Sequence, residues 1–196
     1  TNNESAATAE LHVEVEEGEE FENRDVSIQG SVKLVKEGDG TFIAAKPDQL
    51  YAGGTLVSAG EFRLTSCNYG GFSNFYGADG GEVTVGEGAV LNFDGNGNHQ
   101  NMNFVLDGGE ICSTNDHGMS GFAWIASLRL TADSKISGYN YGFVNAGSAA
   151  MTVDLGGYTL TLDIPGGQYF YMANTTFTGG GKLIANTGGY FSIGYY

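Results

Sequence analysis

Four acids recur beside paired glycines: Asp79 and Glu82 flank Gly80-Gly81, and Asp107 and Glu110 flank Gly108-Gly109. Carboxylates stacked in one phase of a repeat would repel one another and rise in pKa. Two carboxylates facing one groove are also the machinery of glycoside hydrolysis. A polysaccharide lyase would need a base and, in addition, a cation to neutralise a uronate. With 8 Lys plus Arg in the chain, that cation is scarce. Solvated strand starts, repeated because the coil repeats, explain the same four acids. No catalytic residue is therefore assigned, and a carbohydrate-active β-helix stands as the alternative.

Other chemistries lack their signatures. His12, His99 and His117 form no H-x-H or H-x-x-x-H pair, and no C-x-x-C exists, so no metal or cofactor is expected. The run Asp94-Gly95-Asn96-Gly97-Asn98 alternates oxygen ligands, but His99 stands where a calcium loop needs glycine and Val105 where it needs glutamate. Gly118-Met119-Ser120-Gly121 falls one residue short of a nucleophile elbow. Cys67 and Cys112 sit at different distances after their preceding Gly-Gly pairs. That register disfavours a disulfide and favours buried free thiols.

The elements that must carry these groups are strands. Glu82-Val83-Thr84-Val85, Met151-Thr152-Val153-Asp154-Leu155 and Thr159-Leu160-Thr161-Leu162-Asp163 alternate apolar with polar residues, the period of a half-buried strand. Gly-Gly steps at 53, 80, 108, 156 and 180 are spaced by 27, 28, 48 and 24 residues. The 48 is twice 24, with the intervening coil near Leu128-Arg129-Leu130. Fixed periods of this size mean a repeat architecture. The expected fold is all-β, a right-handed parallel β-helix of roughly seven coils of 24–28 residues. Residues 1–30 read as an acidic first coil or cap and residues 31–196 as the solenoid.

One stretch carries a more specific cadence. Val35, Lys36, Gly38, Gly40 and Thr41 are followed by Gly53, Gly54, Thr55 and Val57, then by Ala59, Gly60, Phe62 and Leu64. This resembles the autotransporter-associated β-strand repeat of bacterial surface proteins, although Asp48-Gln49-Leu50-Tyr51 only partly follows that family's strand ending. The resemblance implies a β-helical passenger that is secreted or displayed at the cell surface, with a structural or adhesive role.

Composition narrows the partners. The net charge of −15 opposes nucleic acid and anionic lipid, and no apolar run is long enough to span a bilayer. With 33 Gly but 2 Pro, the chain is neither collagen-like nor a Pro-rich linker. Aromatic clusters supply flat faces with polar tips for a glycan or a cell-surface protein. The contact candidates are Tyr69, Phe72, Phe75 and Tyr76, then Tyr139 and Tyr141, then Tyr169 and Tyr171. Leu11, Val13 and Val15 near the start and Tyr190, Ile193 and Tyr195 near the end are expected on open strands. Such strands would take further coils of a longer protein, or a second copy stacked end to end into a filament.

Overall fold

The computed structural model describes residues 9–46, 49–65, 81–94, 98–114, 121–139, 141–144 and 150–193. Among them there is no helix, and parallel sheets stack into a β-solenoid. Where the described residues trace a full turn, it crosses three faces in order. The first face carries Ala9–Glu14, Val32–Glu37, Thr55–Val57 and Glu82–Val85, then the second halves of Asn98–Leu106 and Gly121–Leu130, then Met151–Asp154 and Thr175–Thr178. The second carries Glu20–Asn23, Thr41–Ala44, Glu61–Leu64, Val90–Phe93, Glu110–Ser113, Ser134–Gly138, Thr159–Ile164 and Lys182–Thr187.

The third face begins with Gln29–Gly30 and Leu50–Tyr51. It resumes with the first halves of the two long strands and ends with Tyr141–Val144, Tyr169–Met172 and Tyr190–Ile193. A register shift between His99 and Asn103, where Asn98–Leu106 pairs with Gly121–Leu130, marks the passage from third face to first.

The second face has eight rungs, of which six have neighbours on both sides, a solenoid of about six turns between its end coils. Successive rungs there begin 20 to 29 residues apart, a wider spread than the expected 24–28. The spread arises because the strands keep register while the connections between them vary in length.

The paired glycines need a correction. They mark two corners of the coil, not one. Gly53-Gly54 and Gly81 lead into first-face strands, whereas Gly108-Gly109, Gly156-Gly157 and Gly180-Gly181 lead into second-face strands. Glu82 and Glu110 are therefore on different faces: Glu82 pairs in register with Asn103, and Glu110 with Val90 and Lys135. The supposed ladder of carboxylates does not form between them, and Asp79 lies outside the described residues. Gly60 shows why such corners exclude side chains. Its φ is +63°, and a Cβ there would stand 2.5 Å from the Gly38 carbonyl oxygen in the corner stacked against it.

Alternation then fills the interior in columns. On the second face Phe21, Phe42 and Phe62 stack in register, with ring centroids 5.8 and 5.0 Å apart, and Leu91 and Ile111 continue the line. Phe62, Leu91 and Ile111 are buried in one continuous apolar cluster. Thr55 breaks the apolar run of the first face, and its hydroxyl meets the buried Tyr51 hydroxyl at 2.6 Å. Burial pushes the Tyr51 phenol well above its usual pKa, so it remains neutral.

Candidate functional site

With the inward column assigned, the intervening positions of the second face point outward. Val90, Glu110, Lys135, Thr161 and Ile184 form one outward column. Cys112, Ser137, Asp163 and Asn186 form the next. An open groove of about 570 Å³ runs along the first column and the glycine corner beside it, from Gly88 to Ile184. A second hollow of about 290 Å³ lies across the same face, between Cys112, Tyr139 and Pro165. Glu110 borders both.

The charged groups here are held in place. Lys135 Nζ lies 3.1 Å from Glu110 Oε2 and 4.0 Å from Asp163 Oδ2, and the Ser137 hydroxyl donates to Glu110 Oε1. At the corner, Asp133 Oδ1 accepts the Thr159 N–H at 2.7 Å, and Ser134 Oγ accepts the Gly108 N–H at 3.2 Å. The groove thus presents hydroxyls, one ion pair and exposed backbone to solvent. Asp107, another of the four acids weighed for catalysis, sits at the corner and accepts a hydrogen bond from Thr131 Oγ1 at 2.8 Å.

Cys112 is a free, buried thiol; Cys67 lies outside the described residues. Burial pushes the Cys112 thiol up to about 12, and Glu110 and Glu61 add to the shift. A thiol in that state is no nucleophile near neutral pH.

Toward the start of the stack the same face carries a tighter network. Arg63 donates through Nε and Nη2 to the two oxygens of Glu61, at 2.8 and 3.0 Å, and through Nη1 to Glu20 in the first coil at 3.0 Å. Asn92 adds a bond to Glu61 at 2.7 Å. Burial alone would raise the Glu61 pKa, but the bonds from Arg63 and Asn92 outweigh it and hold the carboxyl below its usual value.

Lys36 is wholly buried, with Nζ donating to the carbonyls of Glu37, Gly38 and Ala59 at 2.9, 2.7 and 3.1 Å. All three ammonium donors are thereby used. Burial lowers its pKa, and Asp39 and Glu61 oppose the shift.

The expected contact aromatics divide. Tyr69, Phe72, Phe75 and Tyr76 lie outside the described residues. Tyr139 is 39% exposed at the rim of the smaller hollow. Tyr141 lies in the strand paired with Phe170. Tyr169 is half-buried and stacks on Tyr171 with centroids 6.0 Å apart. Tyr171 corrects the expectation of an exposed ring: it is 6% exposed and lies over Gly142, where a Cβ would run into it.

Among the expected assembly residues, Leu11 is exposed and Val13 packs against the core. Val15 is buried beyond its strand, which removes it from any open edge. Tyr190 and Ile193 are exposed on the last described rung, and Tyr195 lies outside the described residues. Phe21, 53% exposed at the end of the phenylalanine column, is an exposed end ring that alternation in residues 10–22 had not singled out.

No family model, no curated protein and no solved structure matches this chain.

Proposed function

We propose that this chain is a non-enzymatic, secreted or surface-displayed β-solenoid, a structural and adhesive module that holds ligand-contacting groups on a rigid rod. The observation that carries this is the second-face groove. It spans rungs from Val90 to Ile184 and is open along its length, and its Glu110–Lys135 pair is already formed. Such a surface is ordered before a ligand arrives, so little side-chain entropy is lost on contact. The resemblance of residues 35–64 to repeats of bacterial surface passengers supports the same placement. The outermost described rungs, with exposed Phe21 at one and Tyr190 and Ile193 at the other, suit further coils or a second copy.

The test is retention of the fluorescently labelled chain on a panel of cell surfaces and extracellular matrices. Retention that falls in Lys135→Met supports the role; no retention on any surface overturns it.

A carbohydrate-active enzyme is the second reading. It is favoured by Glu110 and Asp163 both approaching the Lys135 ammonium, which brings two carboxylates, the residue type glycoside hydrolysis uses, to one face. Release of reducing ends from a polysaccharide panel, abolished in Glu110→Gln, would establish it over the adhesive role.

A further inference from the structure

We propose that the second-face groove binds a neutral, hydroxyl-rich oligosaccharide lying along the stacking axis. This rests on the adhesive role above and names the ligand for it.

The first argument is periodicity. The outward groups of the groove advance by one rung at a time, from Val90 through Glu110, Lys135 and Thr161 to Ile184. Rungs of a parallel sheet repeat at about 4.8 Å, close to the length of one pyranose unit in an extended chain. An extended peptide presents side chains to one side every ~6.7 Å, two residues of strand rise, and loses step with the rungs within two or three of them. A sugar chain stays in step.

Charge is the second argument. Among the described lining residues, Glu110 and Asp133 stand against the single cation Lys135, on a chain of net charge −15. Uronates and sulfated sugars are repelled from such a surface. The third argument is hydrogen-bond type. The Glu110–Lys135 pair sets an acceptor and a donor side by side, and Ser137 fixes the carboxylate from the far side. A sugar hydroxyl both donates and accepts, so it can bridge the two without leaving either charge unpaired. The Thr161 hydroxyl continues the polar line one rung on. At the glycine corner Gly88 is exposed and a Cβ there would meet nothing within 4 Å, so this edge of the groove is open.

The experiment is a heteronuclear NMR titration of the 196-residue chain with cellopentaose, xylopentaose and mannopentaose. Trigalacturonate and a neutral Gly/Ser/Thr decapeptide serve as comparison probes. At least one neutral pentasaccharide is expected to shift the amides of Val90, Glu110, Lys135 and Thr161 as one contiguous set. Lys135→Met and Thr161→Val, each checked by circular dichroism for an unchanged fold, should weaken that binding by about tenfold and a few-fold respectively.

The proposal is overturned if none of the three neutral sugars shifts this set, if trigalacturonate binds as tightly as the best of them, or if both variants bind undiminished. Peptide binding in the groove without sugar binding also overturns it. These failures leave the adhesive role standing as long as the labelled chain is still retained on a cell surface. Loss of retention on all surfaces removes that role independently.

Discussion

At the scale of single residues, the structure is decided by side chains whose partners are backbone. Lys36 occupies a core column that Val57 continues on the next rung, and its ammonium ties the carbonyls of two successive corners together. Lys36→Met keeps the volume but takes the ammonium donor from all three carbonyls, of which only Glu37 O is also given the Val15 N–H. Each orphaned acceptor costs of order 1–3 kcal/mol where water cannot reach it. Urea denaturation should therefore show a loss of at least about 2 kcal/mol, with an unchanged m-value. Phe62→Ala removes the ring at the inner end of the phenylalanine column and should cost about 3–5 kcal/mol in the same assay. Cys112 offers a reactivity test. With its thiol pushed up to about 12 by burial, native protein at pH 8 should resist iodoacetamide at this site. Urea should expose it to rapid alkylation, read by peptide mass spectrometry at Cys112. The place of Lys36 could be read from parity, since it shares the phase of Leu34. Its polarity hid that, because lysines on strands are expected in water.

At the scale of elements, the first coil is fastened to the stack by charge as well as by its strands. Arg63, two rungs away, reaches Glu20 and holds Glu61. Glu61 has a folded pKa below its usual value of 4.5, so the folded state binds its proton less readily than the unfolded chain. Its contribution is complete above pH 4.5 and is lost as pH falls through the lower folded value. Hydrogen exchange across Ala9–Asn23 should accelerate in that acidic window, and Arg63→Met should produce the same acceleration at pH 7. Unchanged protection in Arg63→Met would show that backbone pairing alone retains the coil. Strand positions were legible because alternation reports which residues face inward, and this holds for Leu160, Leu162 and Val153 alike. Coil phase was not legible. Glycine suits any sharp corner, and nothing in Gly80-Gly81 or Gly108-Gly109 says which of the three corners it serves.

At the scale of the whole molecule, the groove escaped sequence reasoning for the same reason. Glu110, Lys135 and Thr161 are about 25 residues apart and become neighbours only once the phase of every turn is known. The net charge of −15 acts at this scale too. Self-repulsion opposes contact between copies at low ionic strength, and salt screens it within about 10 Å at 0.1 M. End-to-end association, part of the proposed role, should therefore appear in light scattering as salt is raised, and Phe21→Glu should suppress it. A monomer at every salt concentration would exclude stacking of copies. The corner at Thr131-Ala132-Asp133 joins the first face to the second between the rungs that carry Glu110 and Lys135. Duplicating one full coil at that corner would insert a new row of outward groups while every inward column simply gained a member. If the groove recognises a ligand as proposed, its length is heritable in whole units: a tandem duplication in the gene would add one subsite, and later point changes would edit it without touching the interior.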